Sequence, residues 1–189
     1  SRISPICAGT VFISFINRIS NVVAIIASTK KTARVIDRIT TSYLSFNRQT
    51  QDLESATKTL FDAPLAYLVV AFLVISSLAH LIIATAYNKR YNKDLGKGIN
   101  RARWIEYSLS ASTMMVAISL LVGIYDLSLL IGIFALVAVM NLMGLVMEIH
   151  NQTTEKTKWV SFVVGCIAGI VPWIIVATSF WASNTYGSG

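Results

Sequence analysis

Residues 127–147 read LSLLIGIFALVAVMNLMGLVM, a run of 21 residues without a charged side chain. A helix needs about 20 mostly apolar residues to cross a bilayer, and this run meets that requirement. Three further strong runs and one weak run occur in the chain, at 65–87, 104–124, 160–182 and, weakest, 6–27. We therefore predict an all-α, multi-pass membrane protein, with five visible spans in a single transmembrane domain over residues 1–189.

The composition agrees with a membrane protein. Hydrophobic residues make up 54% of the chain and charged residues only 13%, whereas a soluble domain is about 25% charged. The net charge of +7 suggests a nucleic-acid partner until the 16 Lys and Arg are located, because almost all lie between the apolar runs. That distribution is typical of membrane proteins. We therefore expect the lipid bilayer as a partner and no nucleic acid, and we exclude disorder, a nucleic-acid tail and an ordinary soluble enzyme.

The connections between the runs also carry information. A short turn at Tyr125-Asp126 joins the third run to the fourth, which predicts a tight antiparallel pair of helices. Residues 28–63 are polar and too long for a plain connection, so they are expected to contain ordered structure. Asn17 and Arg18 interrupt the weak first run. Its span therefore begins either near residue 6 or near residue 17.

Positive charges lie unequally on the two sides of the predicted bundle. Nine fall on one side, at Arg2 and within 89–103 and 156–158, and six on the other, between residues 30 and 58. Cytoplasmic loops carry the excess of Lys and Arg. The count predicts a cytoplasmic N-terminus and places the long loop 28–63 outside the cell.

One carboxylate lies inside a strong run. Glu106 shares a helical face with Ser110 and Thr113. Ionisable groups are costly in a bilayer, so each is a functional candidate. Two interpretations remain open: an interfacial Glu106 paired with Arg103, or a carboxylate that balances a buried cation or relays a proton.

One imidazole also lies inside a strong run. His80 follows Ser76 by one helical turn and lies near Ser77. It is either a hydrogen-bonded structural histidine or a neutral imidazole in a polar cavity with Glu106, where it accepts a proton near neutral pH. The only other histidine is His150, and no carboxylate lies three or four residues after His80. We therefore expect no metal site.

The fifth run combines small residues with a proline. Gly165, Gly169 and Pro172 lie on or near one face, with Trp173 beside them. Small residues allow helices to pack closely, and the alternative is a border for a flat hydrophobic ligand. No hydrolase, nucleotide-binding or metalloprotease motif occurs, and no nucleophile–base pair is visible. We therefore do not expect an enzyme.

Two segments resemble the third- and fifth-helix signatures of the heliorhodopsins. They are RWIEYSLS at 103–110 and GCIAGIVPW at 165–173. Shorter similarities occur in the family's order at 17–19, 41–44 and 77–80. The resemblance extends from residue 17 to about residue 182.

The resemblance implies a seven-helix light-sensing photoreceptor with a cytoplasmic N-terminus. It implies all-trans retinal held as a protonated Schiff base, with photoisomerisation and proton transfer nearby. It also implies a homodimer, and it leaves the signalling partner unknown. Glu106 would be the Schiff-base counterion. The proton-accepting polar cavity would comprise His80, Ser76, Ser77 and Ser110, and the retinal-binding residues would be Tyr107, Met114, Pro172 and Trp173.

One departure from the family concerns its retinal-bearing lysine, which lies in the seventh helix. The four strong runs contain no lysine, so the Schiff-base lysine is unknown. We expect either that a C-terminal part is missing or that the chain is a truncated form. Two alternative functions stay open: a light-gated or voltage-dependent proton conductance of a viral-type member, and a chromophore-free membrane scaffold or channel subunit.

Overall fold

The computed structural model describes residues 36–48, 51–154 and 156–186. Two strands come first, β1 (Ile36–Asn47) and β2 (Asp52–Pro64). The helices that follow are α1 (Leu65–Ala84), α2 (Asn88–Leu95), α3 (Arg101–Leu121), α4 (Leu127–His150) and α5 (Val160–Tyr186). The weak first run at 6–27, with its two possible starts, lies outside the described residues.

Four of these helices, α1, α3, α4 and α5, are long and apolar enough to cross a membrane. They confirm the four strong runs and the multi-pass helical class. Three begin where the apolar runs begin, whereas α3 begins at Arg101 rather than at residue 104. The reason is a polar cap, because the Asn100 side chain accepts a 3.1 Å hydrogen bond from the Arg103 backbone N–H. The helix stops before Gly123, whose φ of +89° lies in the left-handed region.

The spans pack in antiparallel order. Helix α4 lies between α3 and α5, and α1 packs on α3. This confirms the antiparallel pair predicted across the turn at 125–126. Gly165 and Gly169 are buried in α5, against Met140 and Met143 of α4. The glycine face of the fifth run therefore allows close helix packing, as its small residues indicate.

The long polar connection contains a β-hairpin, which confirms the expected ordered structure. Strands β1 and β2 are antiparallel, with an irregularity between Ile39 and Thr40. The second strand runs directly into α1 at Pro64–Leu65. Ile39 is buried in the main hydrophobic core, and the Thr40 N–H donates a 2.9 Å hydrogen bond to the Tyr125 carbonyl. We call this end of the molecule the hairpin end, and the opposite end, with α2 and the α4–α5 connection, the basic end.

Asp126 fastens the hairpin to the α3–α4 turn. Its carboxylate accepts hydrogen bonds from the backbone N–H of Ser42 at 3.0 Å and from those of Ser128 at 3.0 Å and Leu129 at 3.2 Å. The latter two cap α4. The backbone hydrogen bonds from Leu129 and Ser42 lower the pKa of Asp126 below its ordinary value of 3.8.

This lowered pKa predicts an acid-sensitive attachment. The contribution of the ionised carboxylate to stability is fully present above 3.8 and is lost as the pH falls through the folded-state pKa. Asp126→Asn keeps a capping oxygen but removes the charge. We expect the variant to unfold at a lower temperature than the wild type at neutral pH, and the two midpoints to converge at strongly acidic pH. Thermal unfolding of both proteins, followed by circular dichroism from neutral to strongly acidic pH, tests this prediction. Asp52→Asn at the exposed hairpin tip is the control, and a gap that stays constant with pH would contradict the prediction.

Candidate functional site

Glu106 is a buried carboxylate inside a membrane span. It lies five residues after the start of α3, and only 8% of its surface is exposed. The Ser76 hydroxyl of α1 donates a 2.8 Å hydrogen bond to Glu106 Oε1. The two residues are 30 positions apart in sequence, so the packing of α1 on α3 creates this contact. The hydrogen bond lowers the cost of burying the carboxylate.

The first interpretation of Glu106, a pair with Arg103, is wrong. Arg103 Nη2 lies 3.0 Å from Glu148 Oε1 of α4, and its guanidinium lies 4.7 Å from the centre of the Trp104 ring. Glu148 Oε2 also accepts a 2.8 Å hydrogen bond from the Asn100 N–H. Arg103 therefore points towards α4 and Glu106 towards α1. Two residues that are three positions apart on a helix can thus contact different neighbouring helices. Within the described part of the chain, no ion pair involves Glu106.

Other buried hydroxyls surround this contact. Ser110 is 3% exposed and Thr113 is 9% exposed, so both share the buried face of α3 with Glu106. On α1, Ser77 is buried next to Ser76, and its hydroxyl has no hydrogen-bond partner among the residues that the structure describes. An unsatisfied buried hydroxyl costs roughly 1–3 kcal/mol. The site is therefore suited to one more hydrogen-bonding group.

His80 lies at the edge of this cluster. Its ring is exposed on the surface of the described helices, and Nδ1 lies 2.7 Å from the Ser76 carbonyl oxygen. A carbonyl oxygen only accepts, so Nδ1 carries the proton of this hydrogen bond. In the neutral ring Nε2 is then the proton acceptor. Ser76 thus contacts both candidate groups, Glu106 through its hydroxyl and His80 through its carbonyl.

The four residues assigned to retinal do not form one enclosed pocket in the described part of the chain. Pro172 is fully buried within α5. Tyr107, Met114 and Trp173 are 45%, 43% and 59% exposed on the outside of the described helices. Their assignment as retinal-binding residues stays a prediction.

Three carboxylates with structural roles were not singled out from the sequence. Glu148 lies one residue beyond the fourth apolar run and pairs with Arg103. Asp94 is buried in α2, a short helix that hydropathy does not reveal, and accepts a hydrogen bond from the Tyr87 hydroxyl at 3.3 Å. Asp126 does carry a sequence signal, because an acid directly before an apolar run is typical of a helix N-cap.

The fold and this site together define a multi-pass helical membrane protein with a buried carboxylate between two of its spans. A family model for heliorhodopsin matches residues 9–188. The chain therefore belongs to the heliorhodopsin family, which confirms the resemblance of its third and fifth runs. Heliorhodopsins are light-sensing rhodopsins, and membership implies a retinal chromophore for the family in general. A comparison with curated proteins found no match.

Proposed function

We propose that the protein is a light-sensing, retinal-binding membrane protein in which Glu106 is the counterion of the chromophore's cationic end. The observation that carries this proposal is the environment of Glu106. The carboxylate is buried in a span, its neighbour Ser76 is a neutral donor, and the described residues offer it no cation. Buried charges are ordinarily paired. A protonated imine at the end of retinal is a cation of the required kind.

The described residues fit the polar end of such a ligand but supply no covalent anchor. Glu106 provides the charge, and the unpartnered Ser77 hydroxyl provides a free polar group. The described lysines lie on the hairpin or at the basic end, outside all four spans: Lys58, Lys89, Lys93, Lys97, Lys156 and Lys158. The proposal therefore concerns recognition of the cationic chromophore by Glu106, and it includes no attachment step within these residues.

Retinal, when bound, supplies absorption of visible light and isomerisation. The protein's own groups hold the charge and provide places for a proton. Ser76 orients Glu106 through its hydroxyl. The same residue fixes the His80 ring through its carbonyl, so that Nε2 is available as a base. Ser77 and Ser110 add hydroxyls that can bind water between such groups.

The test of this function uses a probe that does not require a lysine. All-trans retinal condensed with n-butylamine and protonated is a cationic chromophore of the proposed type. We expect the purified chain in lipid nanodiscs to bind it and to shift its visible absorption band, because a buried carboxylate close to the imine changes the charge distribution of the chromophore. Absorption titration gives both the Kd and the shift.

Two results would oppose the proposal. A folded chain, verified by its helical circular dichroism, that leaves the probe's spectrum unchanged would favour a chromophore-free scaffold or channel subunit. Saturable binding of the neutral alcohol retinol with equal affinity would show that charge is not recognised. In parallel, unmodified all-trans retinal followed by borohydride reduction and mass spectrometry reports whether any lysine of the chain forms the covalent bond.

His80 is proposed as a proton acceptor of the light reaction. We expect His80→Phe to keep the dark absorption band of the probe complex and to change the light-induced proton signal measured with a pH-sensitive dye. His150→Phe, at the end of α4, is the matched control and should leave that signal as in the wild type. Identical proton signals in all three proteins would assign His80 the structural, hydrogen-bonded role.

A further inference from the structure

Apart from the ion-paired Arg103, six exposed cations lie at the basic end among the described residues. They lie on α2, on the segment that follows it and on the α4–α5 connection: Lys89, Arg90, Lys93, Lys97, Lys156 and Lys158. The two ion pairs found in the described residues, Arg101–Asp94 and Arg103–Glu148, involve none of them. These six side chains therefore present positive charge to their surroundings.

The two described acids of this end, Asp94 and Glu148, already form ion pairs and hydrogen bonds within the fold. Asp94 is 7% exposed, accepts from the Tyr87 hydroxyl at 3.3 Å and lies 4.0 Å from Arg101. Glu148 binds Arg103 at 3.0 Å and the Asn100 N–H at 2.8 Å. Because these contacts hold α2 and α3 in place, neither carboxylate is available to neutralise a lysine. Glu155 is the only other acid in the sequence of this end.

The cations lie close to the ends of the apolar spans. Helix α2 begins four residues after α1 ends at Ala84, and Lys158 lies two residues before α5 begins. Trp159 is 56% exposed beside Lys158 and packs edge-on against Phe162. Exposed tryptophans at the ends of spans are typical of the membrane–water interface. Lysine side chains so close to the apolar spans reach the phosphate layer of the bilayer.

We propose that the basic end binds anionic phospholipid headgroups of the leaflet that surrounds it, through two separate clusters. The α2 cluster comprises Lys89, Arg90, Lys93 and Lys97, and the loop cluster comprises Lys156 and Lys158. Helices α3 and α4 lie between α1 and α5 in the packing order, so the clusters are on different parts of the perimeter. That separation suits individual lipids around the bundle better than one compact acidic protein.

The fixed loop geometry supports the second cluster. Asn151 Oδ1 accepts a 2.8 Å hydrogen bond from the Lys158 backbone N–H, which closes the α4–α5 connection. The side chain of Lys158 is exposed and remains free to contact a phosphate. Each basic residue near an anionic surface strengthens association by about fivefold.

Lipid selectivity measured by electron paramagnetic resonance tests the proposal. The chain is reconstituted in phosphatidylcholine bilayers with spin-labelled phosphatidylglycerol or spin-labelled phosphatidylcholine, and the motionally restricted fraction gives their relative association. We expect the wild type to prefer the anionic lipid by about fivefold or more. The preference should fall sharply in about 1 M salt, where the Debye length is about 3 Å.

Charge variants locate the effect. Replacing the four residues of the α2 cluster by Gln should remove most of the preference, and Lys156→Gln with Lys158→Gln should remove a smaller part. Exchanging Lys for Arg and Arg for Lys in the α2 cluster should retain the preference, which separates charge from folding. The matched control carries Arg38→Gln, Arg48→Gln and Lys58→Gln at the hairpin end and should behave as the wild type.

Three outcomes would overturn the proposal. One is equal association of both lipids with the wild type. Another is a preference that the hairpin-end variant loses and the α2 variant keeps. The third is binding of poly-glutamate to the basic end together with no lipid preference, which would assign the surface to an acidic protein partner.

Discussion

Replacing Glu106 by Gln should weaken binding of the cationic retinal probe more than a hundredfold, and should strongly red-shift any band that remains. Gln has the shape of Glu but no charge, so the buried cation would lose its counterion. Leaving one member of a buried pair uncompensated costs about 3–5 kcal/mol. Ser76 would still have a side-chain oxygen to donate to, since the amide carbonyl replaces Oε1. The effect therefore reports the charge and not a general loss of contacts.

Glu148→Gln provides the matched control. Glu148 is the other carboxylate of the spans, and it already has a cation, Arg103, at 3.0 Å. We expect Glu148→Gln to lower thermal stability but to leave the probe's affinity and band position unchanged. Absorption titration of both variants in the same nanodiscs makes the comparison. An unchanged Kd and spectrum in Glu106→Gln would rule out the counterion role.

Gly144→Ala should destabilise the bundle by about 1–3 kcal/mol, the range for overpacking a tight interface. A methyl group added at Gly144 would overlap the ring of Trp104. That ring is rigid and lies under the Arg103 guanidinium, which in turn holds Glu148. Relief of the overlap would therefore have to move α3 relative to α4 or break the ion pair.

Gly132→Ala is the control on the same helix. A methyl group at Gly132 would meet no neighbouring atom within 4 Å, and alanine favours helix over glycine by about 1 kcal/mol. We expect Gly132→Ala to unfold at the wild-type temperature or slightly above it, and Gly144→Ala several degrees below. Thermal unfolding in detergent, followed by circular dichroism, measures both midpoints. Equal midpoints for the two variants would show that Trp104 does not restrict the α3–α4 interface.

The spans could be predicted from the sequence because hydropathy is a local property. The helix starts at Leu65, Leu127 and Val160 coincide with the starts of the apolar runs. The start of α3 could not be predicted in the same way, since its first turn is polar and Asn100 caps it. Helix α2 was missed for the same reason: it is short and polar, and its attachment depends on Asp94.

The candidate site was only partly predictable. Glu106 stood out because a carboxylate is rare in an apolar run, and Ser110 and Thr113 followed from helical spacing. The partner of Glu106 could not be predicted. Arg103 is the nearest cation to Glu106 in sequence, but in the structure Arg103 pairs with Glu148, and Glu106 accepts its hydrogen bond from Ser76. Contacts between helices depend on how each helix is rotated about its own axis. The spacing of residues along one helix does not determine that rotation.

The sequence by itself determined the class of the protein, its four strong spans and the carboxylate inside the third run. These features depend on residue type and on spacing along one helix. Only the tertiary structure decided that Ser76 binds Glu106, that Trp104 lies over Gly144 and that Asp126 holds the β-hairpin. Each of these contacts joins residues from different elements, so each depends on the distances and rotations that packing imposes.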